Sequence, residues 1–178
     1  MAAPLDGAEL VRAFSNTLDA EDRTDQLPDT QALVKWLRER DLVDAKAAAA
    51  PADLELALEL RAALRGALLA HHDDADDPAS LLRLNEVAAQ LPLRASFAPG
   101  RGPALAASGA GVGGALATVM AAIVESAADG SWRRLKICPA DDCQWTFYDQ
   151  SRNQSRRWCG AGCRNVEKTR AYRARQRA

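Results

Sequence analysis

All four cysteines of this chain lie in its last quarter, as two close pairs. Cys138 and Cys143 have four residues between them, Cys159 and Cys163 have three, and fifteen residues separate the pairs. A tetrahedral metal needs four convergent donors, and two tight turns joined by a short structure supply them. Four thiolates leave no coordination position open for water, so the spacing predicts one structural Zn2+ ion rather than a catalytic one. A redox switch that ejects the metal is the rival reading, because neighbouring arginines favour thiolate. A segment of roughly 45 residues buries too little apolar surface to fold alone, so the ion is expected to shape it.

Charge divides the chain at the same place. Residues 131–178 hold 12 of the 23 Lys/Arg and 4 of the 24 Asp/Glu, a balance of +8 that leaves −9 for residues 1–130. An acidic body with a basic end predicts two tasks, and a basic end most often meets nucleic acid. Met1 to Asn16 contains no apolar run of signal-peptide length, and no segment reads as a membrane span. The expectation is a cytoplasmic protein with no membrane partner, where clustered thiols hold metal.

Hydrophobic spacing makes residues 1–130 a mostly helical domain. A short helix is expected over residues 5–15, with Leu10, Val11 and Phe14 on one face. Residues 22–28 read as a polar loop. Asp29 is placed to cap a helix carrying Leu33, Trp36 and Leu37. Pro51 opens a long central helix to about Ala70, with Arg61 and Arg65 expected in surface or intradomain pairs. Another helix begins at Pro78. Leu93–Phe97 and Ala104–Ser108 read as a small β-hairpin around a Pro/Gly turn at residues 99–103. A last helix over about Ala115–Ala128 stops at Gly130, where the domain boundary is placed.

Beyond the boundary, Gln144–Asp149 reads as a strand and Arg156–Trp158 as its partner. From Cys163 the chain reads as helix. Turn, hairpin and a helix whose first turn carries the last ligand make a treble-clef-like layout with four cysteine ligands. The fold class is therefore α+β, mostly α: a helical domain over 1–130 with a small β-hairpin, plus a zinc finger over 131–178.

Arg152, Arg156 and Arg157 precede the second cysteine pair, and Arg164, Asn165, Lys168, Arg170, Arg173 and Arg175 follow on the last helix. Arg forks suit phosphates and guanine edges, so these nine are the candidate contacts to double-stranded DNA. A solvated tail is the bland alternative. Trp145, Phe147, Tyr148 and Trp158 keep an RNA reading open through base stacking. So small a module calls for a homodimer to read a specific site. In the first domain, Asn16, Thr17, Asp25 and Trp36 are candidates to line a small-molecule effector pocket, the alternative being capping and core roles. His71 and His72, beside Asp73 and Asp74, read as a solvated loop. No nucleophile–base set or phosphate-cradling glycine loop can be assembled, so no enzymatic activity is expected.

Several of these residues carry a resemblance. Cys138-Pro139, Phe147-x-Asp149-x-Ser151-Arg152, Arg156-Arg157-Trp158-Cys159, Cys163-Arg164-Asn165 and Lys168-x3-Tyr172-Arg173 resemble the CGNR zinc finger. Phe14-Ser15-Asn16-Thr17-Leu18, Asp25 and Leu33-x2-Trp36-Leu37 are similar to the ABATE domain that usually precedes it. The resemblance implies a bacterial, stress-linked transcription regulator, with DNA bound by the finger and sensing by the first domain. The name-giving motif departs here: Arg164 stands for its Gly and Val166 for its Arg. The remaining alternative is a redox-responsive protein-interaction module.

Overall fold

A computed structural model describes residues 7–73, 75–99 and 102–177, leaving aside the side chains of Glu167, Ala171, Ala174 and Arg177. The first residues of the expected opening helix, Asp74, and Gly100 and Arg101 of the expected turn lie outside the described residues.

Among the described residues, six α-helices and three two-stranded antiparallel sheets follow in order. Helix α1 spans Gly7–Ser15, and strands β1 (Leu18–Asp19) and β2 (Thr24–Asp25) pair across the segment expected to be a loop. That turn forms because Asp19 Oδ1 accepts the backbone N–H of Glu21 and Asp22, while Arg23 takes a left-handed φ of 52°. Helix α2 (Thr30–Arg38) starts on Asp29, whose Oδ1 accepts from the Ala32 N–H at 2.8 Å. Helix α3 (Pro51–Ala70) begins on proline, and Asp53 reaches back to the Ala50 N–H at 2.8 Å. Its middle is buried from Ala57 to Leu68.

Helix α4 (Pro78–Ala88) packs along α3, and the hairpin β3 (Leu93–Ser96) with β4 (Ala104–Ala107) packs on helix α5 (Gly111–Ala128). Leu93 opposes Ala107 in that hairpin. Helix α5 starts four residues earlier than its periodicity suggests, because glycines carry it past the hairpin. A Cβ on Gly114 would sit 2.3 Å from the Gly109 carbonyl oxygen, so only glycine permits that approach. With a mean hydropathy of 1.5 over 18 residues, α5 is long and apolar enough to cross a membrane; 56% of it is buried inside this core. Gly130 ends the segment at φ 80°.

The third sheet differs from expectation. Strand β6 (Thr146–Tyr148) pairs with β5 (Leu135–Ile137), ahead of the first cysteine, in the register Leu135↔Tyr148, Lys136↔Phe147, Ile137↔Thr146. Arg156–Trp158 is irregular instead of being the partner strand. Its backbone is drawn off the ladder: the Arg156 N–H donates to Asp149 Oδ2, and the Arg156 guanidinium donates to the carbonyls of Trp158 and Cys159. Helix α6 (Ala161–Arg177) closes the chain and starts two residues before the expected point.

Leu135 and Ile137 belong to the same apolar core as Phe14, Leu64 and Leu116. A smaller cluster of Cys138, Ala140, Cys143 and Phe147 forms around the cysteines. The first strand of the cysteine-bearing segment is thus part of the helical body, at about 1.5–3 kcal/mol for each fully buried aliphatic side chain.

Candidate metal centre and basic surface

The β5–β6 connection folds into a tight turn that holds the first two thiols. The Cys138 N–H donates to the Trp145 carbonyl, the Cys143 N–H donates to Ala140, and Gln144 adopts φ 49°. Gly160 and Gly162 flank the start of α6, whose first turn presents Cys163. The four Sγ atoms lie within 4.8 Å of one another, with Cys143–Cys159 at 3.5 Å and Cys159–Cys163 at 3.6 Å. A tetrahedron with metal–sulfur bonds of about 2.3 Å has edges of about 3.8 Å, so the donor set fits one zinc ion. All four are free cysteines.

The electrostatics agree. Burial pushes Cys143 up to about 11 against hydrogen bonds from Trp145 and Cys159, while burial and then the Cys143 and Cys163 thiols push Cys159 further still. Burial also opposes ionisation of Cys138, but contacts from Cys159 and Ala140 outweigh it and bring that thiol below its ordinary value. Four thiols so placed cannot all ionise against one another, and a divalent cation relieves that repulsion. When bound, zinc supplies structure rather than reactivity, since all four positions are thiolate.

Behind the metal site, a buried ion pair shapes the loop before the second cysteine pair. Lys136 Nζ lies 3.0 Å from Asp149 Oδ2, with side-chain exposures of 5% and 0%. Lys136 also donates to the carbonyls of Gln154 and Arg156, and Asp149 accepts the N–H groups of Ser151 and Arg156. Burial alone would raise the Asp149 carboxyl; hydrogen bonds from Ser151, Lys136 and Arg156 overcome it and hold the carboxyl at about 2. Arg134 adds bonds to the carbonyls of Asp149 and Ser151, both at 2.9 Å.

The nine candidate nucleic-acid residues divide. Arg156, Arg157, Arg164 and Lys168 line one groove of about 580 Å³, with Ser151, Ser155 and Trp158. Arg156 is also tied inward and lies over Phe147, while Arg157 reaches Asp73 at 3.6 Å. Arg170 pairs with Asp142 at 2.9 Å. Arg164, Lys168 and Arg152 have no side-chain hydrogen bond or ion pair among the described residues. Asn165, Arg173 and Arg175 stand exposed along α6. Val166 and Tyr172, at 45% and 59% exposure, do not pack the helix onto the body.

A family model described as "CGNR zinc finger" matches residues 134–176, and one described as "Putative stress-induced transcription regulator", the ABATE domain, matches residues 8–130. This chain belongs to the ABATE family. No curated protein matches it significantly.

Internal partners occupy three of the four candidate effector residues of the ABATE segment, and the fourth, Trp36, is a core residue whose indole N–H has no hydrogen-bond partner among the described residues. The Asn16 side chain donates to the Thr146 carbonyl at 2.9 Å and accepts the Thr146 N–H at 2.8 Å. It thereby supplies one more rung on the edge of β6 that faces away from β5. Thr17 Oγ1 donates to the Phe14 carbonyl and accepts from Arg61 at 3.0 Å. Asp25 takes both guanidinium nitrogens of Arg61 at 2.7 Å, which holds its carboxyl below the usual range. Trp36 is core, 5.6 Å from Phe14 edge-to-face and beneath the Arg40 guanidinium.

Sequence reasoning misses the residues that join ABATE segment to finger. Arg65, 9% exposed, donates to the Ser15 carbonyl at 2.9 Å and the Gln144 carbonyl at 3.1 Å. His71 is buried rather than solvated: its Nδ1 donates to the Leu135 carbonyl at 2.8 Å, and Trp132 packs on its ring. His72 Nε2 donates to Ile137. Burial pushes both imidazoles down, keeping them neutral donors. The acceptors are backbone carbonyls, which leave no mark on a sequence.

Proposed function

We propose that this ABATE–CGNR protein is a cytoplasmic transcription regulator without enzymatic activity. Its zinc-ordered finger binds double-stranded DNA, and its helical body sets the finger's position. The observation that supports this reading best is the groove beside the metal site. Arg157, Arg164 and Lys168 ring it, and the last two have no acidic partner among the described residues. Phosphates satisfy such cations, and binding releases counterions from the duplex. Arg164 stands where the family motif carries glycine, so the groove keeps a guanidinium although position 166 is valine.

A stacking role in RNA binding is disfavoured. Phe147 is buried, Tyr148 packs on the main core, and Trp145 and Trp158 pack on the cysteine cluster. Effector sensing is likewise disfavoured by the internal bonding of Asn16, Thr17 and Asp25 and by the burial of Trp36 in the core.

The test is a genomic DNA selection with zinc-loaded protein beside a Cys159→Ser variant. The expected result is one motif enriched by the wild type alone, with its symmetry reporting a homodimer. In anisotropy titrations, Arg164→Ala and Lys168→Ala should each lower the slope of log affinity against log salt by about 0.9. Equal slopes in wild type and both variants would overturn the assignment of this groove to DNA.

A further inference from the structure

A second cavity, of about 380 Å³, opens between the end of α3 and the loop before the second cysteine pair. His71 and His72, at the end of α3, form one wall. Arg133 and Lys136 bring cationic side chains from the second. The loop residues Arg152, Asn153 and Gln154 form the third. The volume suits a small solute.

No acidic side chain lines this cavity among the described residues. Carboxylates close to it are engaged in ion pairs, Asp73 with Arg157 at 3.6 Å among them. Asp76 binds Arg133 at 3.0 Å on an exposed flank, and Asp149 is buried on Lys136. Arg152 is exposed and has no partner among the described residues, and neither has the side-chain amide of Asn153. Burial pushes both imidazoles down against their backbone hydrogen bonds, and cations lie near each ring: Arg133 and Lys136 near His71, Arg157 and Lys136 near His72, opposed by Asp76 and Asp73. Guanidiniums on two walls, with amide side chains beside one of them, can approach a multi-oxygen anion from several directions, which suits phosphate better than a planar carboxylate.

The geometry points to a small-anion site in this cleft, taking a free phosphate or pyrophosphate group between Arg133 and Arg152. A bound anion would tie the loop at 152–154 to the end of α3. It would thereby compete for Arg152, a candidate DNA contact; only this consequence rests on the DNA-binding reading. A backbone phosphate of DNA has the same chemistry, so the two sources need separating.

The test uses the zinc-loaded full chain and pyrophosphate as probe, by isothermal titration calorimetry without DNA. Saturable one-to-one binding is expected. Arg133→Gln should weaken it on the order of tenfold through loss of one charge-assisted contact. Asn153→Asp, which adds a carboxylate on an exposed loop, should weaken it at least as much. Zinc content and melting temperature check both variants, and Asn153→Asp carries the test if Arg133→Gln fails to fold. No binding at millimolar pyrophosphate, or unchanged affinity in the variants, overturns the site. Arg133→Gln should leave DNA affinity unchanged. A parallel loss of DNA and pyrophosphate would make the cleft a seat for DNA phosphate and overturn the small-solute assignment. If the protein binds no DNA at all, the pyrophosphate titration still decides the site.

Discussion

Asp149→Asn is the substitution whose effect follows most directly from the structure. The amide keeps the shape and can still accept the Ser151 N–H, but it removes the charge opposite Lys136. That ammonium is 5% exposed and sits 3.0 Å from the carboxylate. Removing one partner of a buried pair leaves an uncompensated charge, at a cost of about 3–5 kcal/mol. For a chain of 178 residues, each kcal/mol moves the melting temperature by about 2–4 °C, so the fall should be roughly 6–20 °C. Thermal unfolding of zinc-saturated wild type and variant, followed by circular dichroism, measures it. Adding Lys136→Met should recover most of the loss, because an apolar replacement of the whole pair is close to neutral. The pH dependence has a definite sign. The folded carboxyl sits at about 2 against 3.8 unfolded, so its contribution is complete well above 3.8 and disappears as the pH falls toward 2. The gap between wild type and Asp149→Asn should therefore close only in that acid window. A melting loss below about 2 °C at neutral pH, or no rescue by Lys136→Met, would refute the buried-pair argument.

Chelating the metal should remove amide-exchange protection across residues 138–163 while α3 and α5 keep theirs; unchanged protection would mean zinc does not order the segment. Asn16→Asp should destabilise by about 1–3 kcal/mol, because a carboxylate oxygen would face the Thr146 carbonyl where a donor now sits. Exchange at β6, rather than at the helices, should report it. Gly114→Ala should lower the melting temperature despite alanine's better helix propensity, since its Cβ would fall 2.3 Å from the Gly109 carbonyl oxygen. Arg65→Met should free the Gln144 turn and raise exchange at Cys143 and Gln144 without changing protection at the centre of α3.

The metal site is readable from spacing alone, because four ligands converging on one ion impose a local pattern that survives without knowledge of the fold. Asp29, Pro51 and Gly130 also announce their roles through chemistry within one or two turns. The strand β5 escapes notice for a physical reason. Leu135-Lys136-Ile137 is three residues long with a lysine at its centre, and the burial of Lys136 makes sense only once Asp149, thirteen residues on, is beside it. Arg61 and Arg65 read as surface or intradomain pairs on a long helix, but their partners lie outside that helix and leave no local mark. Arg61 meets a carboxylate in a short strand pair, and Arg65 meets carbonyls from two distant segments. Asn16 and Thr17 stand out in the sequence, yet their polar groups serve an internal joint. A sequence shows that such a residue wants hydrogen bonds without showing whether a ligand or the chain provides them.

The embedding of Leu135 and Ile137 in the helical body has a consequence for how this protein can be taken apart. Along the chain the finger resembles a cassette that could be grafted onto another carrier. In space its first strand is shared property. A transplanted finger would carry two bare aliphatic side chains and two carbonyls that His71 and His72 no longer meet. Inheritance of the two halves as a pair, rather than reshuffling of the finger among unrelated hosts, is what such a seam favours.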